Sequence, residues 1–127
     1  MTLHRKLHCS NPKCPHETKL KFSDWIRENL PSSEDGFMVS DVDFILYNYK
    51  TKRMMLIEQK QFGSEVKEWQ KKLFTILDDA MKKLPESRLE YKGFHLITFE
   101  QTDCKDGKIF YDYEEVSEND LRLRLTF

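Results

Sequence analysis

Apolar residues recur at intervals of three and four in two stretches of this chain, which is the spacing of an amphipathic helix. The first stretch covers residues 18–30 and ends before Pro31. The second covers residues 64–84 and ends before Pro85, and Ser64 is placed to cap its first turn. Because proline cannot continue a helix, the pattern predicts two helices that end at these positions.

Shorter stretches are rich in β-branched and aromatic residues, which is typical of strands. They cover residues 37–39, 44–49, 54–57, 94–99 and 109–113. Residues 54–57 are apolar without interruption, which predicts a central strand covered on both faces. At residues 117–125, Ser117 fits the cap of a helix, while the alternation of leucines also fits a strand. This order predicts an α/β fold with a mixed central β-sheet flanked by helices.

Composition and charge agree with one folded domain. The chain has 127 residues, of which 39% are hydrophobic and 13% aromatic, and this is enough for one core. We predict an irregular N-terminal arm over residues 1–17 and a single domain over residues 18–127. Lys and Arg number 21 against 22 Asp and Glu, so the net charge of −1 excludes a general polyanion binder but allows local separation of charge.

The sequence also bears on the compartment. Its apolar runs are far shorter than the roughly 20 residues of a membrane span, and no apolar segment follows the basic N-terminal residues as in a secretory signal. Three cysteines, an odd number, fit a reducing environment better than a disulfide scaffold. We therefore expect a cytoplasmic protein.

The candidate chemical groups lie on the two strands that follow the first helix. Side chains alternate along a strand, so Glu58 and Lys60 share one face. If the strands form a hairpin that turns at residues 50–51, Asp43 lies opposite Glu58, whereas a turn one residue later places Asp43 opposite Lys60. Both registers bring the three charged groups to one face of the sheet.

Two carboxylates that face each other repel, and burial raises the cost. A divalent cation removes this conflict, since Mg²⁺ and Mn²⁺ prefer oxygen ligands and are often held by one or two carboxylates and substrate phosphate oxygens. Asp43 and Glu58 are therefore candidate metal ligands, and Asp41 is either a further ligand or a turn residue. Lys60 is placed to assist an attacking water and to offset charge on a phosphate. This combination points to phosphodiester hydrolysis.

Asp43 before an apolar strand, followed by Leu-Ile-Glu-Gln-Lys at residues 56–60, resembles the D…(D/E)xK core of the PD-(D/E)XK nuclease superfamily. The usual proline before the aspartate is absent. The resemblance covers about two thirds of the chain and implies a restriction-endonuclease-like αβββαβ core. It also implies catalytic roles for Asp43, Glu58 and Lys60, with the backbone carbonyl of Gln59 as a further metal ligand.

Two other residues follow from the same resemblance. Archaeal Holliday-junction resolvases and VRR-type nucleases carry a glutamine on the helix after the lysine, and Gln70 resembles it. Gln70 would position Lys60 or the substrate backbone. The superfamily also has an acid on its first helix, for which we favour Glu28 over the acids that flank that helix.

The N-terminal arm carries four potential zinc ligands within nine residues. Cys9 and Cys14 have a spacing found in zinc sites, and His16 follows them. A zinc site usually needs a second, distant pair of ligands, which Cys104 or His4 would have to supply. We favour an arm with free thiols over a structural Zn²⁺ site.

Several residues near the candidate site have two interpretations. Its basic neighbours in sequence either bind phosphates or form a solvated surface. They are Lys50, Lys52, Arg53, Lys67, Lys71 and Lys72. We interpret the aromatic residues within 110–113 as core or dimer interface rather than as a base-stacking platform, Trp25 and Trp69 as core, and His95 as a packed sheet residue.

The sequence therefore predicts a small Mg²⁺-dependent or Mn²⁺-dependent endodeoxyribonuclease that acts on duplex or branched DNA, as in repair, recombination or restriction. Because a minimal domain has little surface to surround a duplex, we expect a homodimer. One alternative is a catalytically silent nucleic-acid-binding or protein-binding module on the same fold. Another is an interaction protein organised by a zinc-bound N-terminal arm.

Overall fold

The computed structural model describes residues 15–127. The chain divides into two compact units, Met1–Val39 and Ser40–Phe127, which we call the N-terminal unit and the C-terminal unit. The domain boundary that we predict after residue 17 lies within the first of them. Each unit has its own secondary structure.

One helix, α1, extends over Pro15–Asn29 of the N-terminal unit and confirms the first predicted helix. It ends before Pro31, because the residue that precedes a proline is disfavoured in helical geometry. A short 3-10 turn follows at Ser33–Asp35. Trp25 is 49% exposed and stacks on the Phe22 ring, so the prediction that it lies in a core is wrong.

The C-terminal unit contains a mixed five-stranded sheet and two helices. The strands are β1 (Phe44–Asn48), β2 (Arg53–Gln61), β3 (Glu90–Phe99), β4 (Ile109–Tyr111) and β5 (Glu114–Val116), and the helices are α2 (Glu68–Lys82) and α3 (Glu118–Leu125). Spatial order follows sequence order; β2 and β3 are parallel, and the other neighbours are antiparallel. This confirms the predicted α/β class. No helix in the described part of the chain is long and apolar enough to cross a membrane.

One predicted strand, over residues 37–39, is not formed. Its three side chains are between 43% and 49% exposed, and the segment belongs to no sheet among the described residues. An extended segment becomes a strand only where a neighbouring strand satisfies its backbone hydrogen bonds. Along the chain, two strands rather than three therefore follow α1 before α2 begins. This departs from the αβββαβ order expected of a restriction-endonuclease-like core.

The central strand β2 is covered on both faces, as its apolar sequence predicts. Residues 55–57 are each 3% or 4% exposed. The two odd-numbered positions pack with Leu121 of α3 on one face, which we call the α3 face. Leu56 lies on the opposite face, the α2 face, where Phe74 of α2 stacks on Phe94 of β3 with 4.6 Å between ring centroids.

A bulge near the start of β3 determines which residues lie beside the candidate site. The register between β2 and β3 shifts between Met54 and Leu56. Gly93 lies at this point with a φ of +103°, and a Cβ there would be 2.8 Å from His95 Nε2. Glycine tolerates both the left-handed backbone and the close approach of the His95 ring. It therefore permits the register shift, which determines the β2 partner of every later residue of β3.

The two helices of the C-terminal unit begin differently. Ser117 Oγ accepts a hydrogen bond from Asp120 N at 3.0 Å, which confirms a capped helix at this position rather than a strand. By contrast, α2 begins after Lys67, so the prediction of Ser64 as its N-cap is wrong. Ser64 N donates to Gln61 O at 3.0 Å because it belongs to the turn that ends β2.

This difference can be measured. Ser117→Ala is expected to lower the free energy of unfolding by about 1 kcal/mol, because α3 loses its cap. Ser64→Ala is the matched control, since its hydroxyl caps no helix, and should change stability by less than about 0.5 kcal/mol. Urea unfolding followed by circular dichroism measures both variants. Equal losses would contradict the helix boundaries given above.

Candidate active site

The hairpin formed by β1 and β2 brings the predicted carboxylates together. Its register, continued by one residue, places Asp43 opposite Glu58. This is the first of the two predicted registers; the second, with Asp43 opposite Lys60, is wrong. Asp43 Oδ2 accepts a hydrogen bond from Gln59 N at 2.8 Å, which holds the exposed Asp43 carboxylate against the backbone of β2.

Glu58 is the buried charged residue of this site, with 4% of its surface exposed. Its Oε2 lies 3.2 Å from Lys60 Nζ, and Lys60 reaches toward solvent with 21% of its side chain exposed. Its Oε1 is buried and has no hydrogen-bond partner among the described residues. A buried carboxylate oxygen without a partner is costly, and a stable fold seldom keeps one without a reason.

The electrostatics of the site agree with its geometry. Burial, the nearby negative charge of Asp43 and a side-chain hydrogen bond with Asp43 together raise the pKa of Glu58 from its ordinary 4.5 to about 7. The hydrogen bond and charge of Lys60 act in the opposite sense but do not compensate. When Glu58 is ionised, the site is short of positive charge, because one lysine then faces two carboxylates.

These residues fit a divalent cation. The unpartnered Glu58 Oε1 and the Asp43 carboxylate supply hard oxygen ligands in a place that needs positive charge. No group of three or more His, Cys, Asp or Glu residues that could hold a metal occurs in residues 15–127. Two carboxylates are nevertheless the number that Mg²⁺ often takes from a protein. A role for the Gln59 carbonyl stays a prediction, as does one for the exposed Asp41.

The two further residues implied by the family resemblance, Gln70 and Glu28, are on helices. Gln70 is in the first turn of α2, and its Oε1 accepts a hydrogen bond from Lys67 N at 3.4 Å. This contact satisfies a free donor at the start of the helix. Glu28 is exposed on α1, in the N-terminal unit. Roles for Gln70 and Glu28 in catalysis stay predictions.

The predicted zinc arm is only partly covered by the structure. Cys9, Cys14 and the His16 side chain lie outside the described residues, so zinc binding there stays a prediction. Cys104 is a half-buried free cysteine, and its Sγ lies 3.8 Å from Glu118 Oε1. That thiol therefore already has a polar neighbour within the C-terminal unit.

The predicted basic residues separate in space into different groups. Lys50, Lys52 and Arg53 lie at the turn of the β1–β2 hairpin, which is the end of the hairpin away from Asp43 and Glu58. The five residues of β1 separate the two ends by roughly 17 Å. These three residues are therefore neighbours of the site in sequence but not in space, which favours the solvated-surface interpretation for them.

A cavity of about 550 Å³ adjoins the site on the α2 face. Leu96 and Thr98 of β3 line it, and they are the register partners of Glu58 and Lys60. Phe110 and Tyr113 also line it, while Tyr111 is buried in the core of the α3 face. Tyr111 therefore confirms the core part of this prediction, while an interface role for Phe110 and Tyr113 stays a prediction.

Sequence reasoning missed this cavity because it treated residues 109–113 as one strand. In the structure β4 ends at Tyr111, and Asp112 and Tyr113 form a two-residue turn to β5. Such turns usually carry Asn or Gly, so this one lacked its sequence signal. The prediction for Trp69 is also wrong, since it is 38% exposed. His95 confirms its prediction, because its ring stacks on Tyr111 within the sheet.

The chemistry available at the site follows from these contacts. Two carboxylates can hold a hard cation, one lysine can donate to a phosphate or a water, and the adjoining cavity has room for part of a substrate. Comparison with protein-family models, with curated proteins and with solved structures finds no match for the chain. The case for a function therefore rests on the geometry of Asp43, Glu58 and Lys60.

Proposed function

We propose that this protein is a divalent-cation-dependent endodeoxyribonuclease that hydrolyses phosphodiester bonds at the Asp43, Glu58 and Lys60 site. The observation that carries the proposal is the buried Glu58 Oε1, which has no hydrogen-bond partner among the described residues. A bound Mg²⁺ or Mn²⁺ would supply that partner. A site built for stability alone would pair this oxygen or expose it to water.

Each residue has a defined task in this proposal. Asp43 and Glu58 would hold the cation, which when bound supplies positive charge beside the phosphate. The Gln59 amide keeps Asp43 in place through the 2.8 Å hydrogen bond. Lys60 already donates to Glu58 Oε2, and its partly exposed ammonium can donate to a phosphate oxygen or orient the attacking water.

The finer fold assignment, a PD-(D/E)XK-like core, belongs to this proposal too. Its support is the position of Glu58 and Lys60 on a central strand that α2 connects to the parallel strand β3. The missing third strand before α2 is a departure from the family pattern. We also retain the homodimer as a proposal, since the small C-terminal unit offers little surface to surround a duplex.

The test is cleavage of supercoiled plasmid and of branched DNA with Mg²⁺, with Mn²⁺ and with EDTA. Wild-type protein is expected to cleave with either cation and not with EDTA. Asp43→Asn should lower the rate by about 10²-fold, because it weakens one ligand and leaves the backbone contact in reach. Asp79→Asn, on the exposed side of α2, is the matched control and should retain full activity.

The same experiment distinguishes the nuclease from the alternative function, a catalytically silent module. DNA binding without cleavage under each cation would favour a catalytically silent module on the same fold. Equal cleavage by wild type and Asp43→Asn would show that a contaminant or another site is responsible. Sedimentation velocity on the same preparation tests the homodimer, which a monomer at the concentrations that cleave would contradict.

A further inference from the structure

The cavity beside the active site has a floor and a wall of distinct character. Leu96, Thr98 and Phe110 form the floor on the α2 face of the sheet, and the wall comes from residues 63–66, Lys71 and Tyr113. Leu96 and Thr98 are one strand away from Glu58 and Lys60, which corresponds to about 5 Å. Glu58 and Lys60 do not line the cavity themselves, so anything bound there lies one strand away from them.

The backbone conformation that presents Tyr113 to this cavity is unfavourable. Asp112 and Tyr113 have φ angles of +50° and +71°, the left-handed values of a tight hairpin turn. Glycine or asparagine adopts this conformation at little cost, whereas a bulky aromatic residue does not. Residues held in such a conformation often serve a site, so the presence of tyrosine needs a reason other than the turn.

The turn is held firmly against β3. Asp112 N donates to Leu96 O at 2.8 Å, and Leu96 N donates to Asp112 Oδ1 at 2.9 Å. Asp112 Oδ2 also lies 2.7 Å from His95 Nδ1. These contacts fix the backbone and side chain of Asp112. Tyr113 is the next residue in the turn, and its side chain is 72% exposed. The exposed Tyr113 ring therefore offers a face on which a bound partner can stack.

We propose that this cavity binds one unpaired nucleobase of the DNA, stacked against Tyr113 and Phe110, beside the phosphodiester that is cleaved. Its volume lies within the range of about 300–1,000 Å³ found for small-molecule sites. Aromatic rings bind bases of any sequence by stacking. Lys71 is paired with Glu68 at 3.4 Å and Glu65 also lines the cavity, so stacking rather than charge would carry the binding. The inference rests on the proposed function and adds a preference for unpaired nucleotides over continuous duplex.

The test measures binding in EDTA, where no cleavage occurs. The probes are a blunt DNA duplex and the same duplex with a single-stranded tail that carries a fluorescent adenine analogue. Wild-type protein is expected to bind the tailed duplex about tenfold more tightly and to quench the analogue by stacking. Tyr113→Gly should lose this preference, bind blunt duplex as before and melt at a higher temperature. Tyr113→Phe should keep the preference.

A second variant guards against an effect on folding. Tyr113→Asn also suits the left-handed turn but has no ring, so it should lose the preference as Tyr113→Gly does. Equal affinity of the wild type for both probes would overturn the inference, and so would a preference that survives in both variants. Tail-dependent binding without cleavage under Mg²⁺ or Mn²⁺ would overturn the nuclease proposal while supporting the nucleobase site.

Discussion

Glu58→Gln is expected to abolish cleavage and, at the same time, to stabilise the protein in EDTA at pH 8. The amide has the shape of the carboxylate but no charge, so it is a poor cation ligand, and cleavage should fall by about 10³-fold or more. The same change removes a buried charge whose Oε1 has no partner among the described residues. We expect the free energy of unfolding at pH 8 to rise by about 1–3 kcal/mol.

The gain in stability should depend on pH in a defined direction. The folded-state pKa of Glu58 is about 7, above its ordinary value of 4.5, so the native state favours the protonated carboxyl. The contribution of Glu58 to the free energy of unfolding is therefore fully present below pH 4.5 and is lost as the pH rises through 7. Because glutamine resembles the protonated form, the difference between the two proteins should be small at pH 5 and largest near pH 8.

Chemical unfolding at both pH values, with and without Mg²⁺, measures this effect. Mg²⁺ should stabilise the wild type and leave Glu58→Gln unchanged, since a ligand stabilises only the state that binds it. Glu86→Gln, an exposed acid outside the site, is the matched control and should alter neither property. A Glu58→Gln protein that is less stable than the wild type at pH 8 would show that its carboxylate is not short of a partner.

Lys60→Met is expected to abolish cleavage as well, but with the opposite effect on stability. Methionine keeps much of the apolar stem and removes the ammonium that lies 3.2 Å from Glu58 Oε2. The rate should fall by about 10³-fold, since the group that donates to the phosphate or the water is lost. In EDTA at pH 8 the variant should lose about 1–3 kcal/mol, because the buried Glu58 loses its cation. At pH 5 the loss should be small, since Glu58 is then protonated.

A double variant separates the two effects. Adding Glu58→Gln to Lys60→Met should raise the stability at pH 8 above that of the wild type, to the level of Glu58→Gln alone, because Lys60 no longer has a buried charge to compensate; none of the activity should return. Lys72→Met, on the exposed side of α2, is the control. Stability changes that simply add in the double variant would argue that Glu58 and Lys60 do not interact in solution.

The hairpin was predictable from local patterns. Alternation places Glu58 and Lys60 on one face, and the short polar break after β1 limits the turn to a few registers. The apolar run at residues 54–57 likewise indicates a strand with two covered faces. Local patterning did not reveal the turn at Asp112 and Tyr113, because that turn lacks the Asn or Gly that usually marks it. It also predicted a strand at residues 37–39 that does not form, because no neighbouring strand within residues 15–127 pairs with it.

From the sequence alone we could derive which charged side chains share a face and where most helices and strands lie, because both follow from the period of side chains along the chain. Only the tertiary structure decided that Glu58 is buried with Oε1 unpartnered among the described residues, and that a cavity with Tyr113 adjoins it. Burial and proximity depend on how β3 aligns with β2 through α2 and the Gly93 bulge. These contacts join residues far apart in the chain, which no local period records.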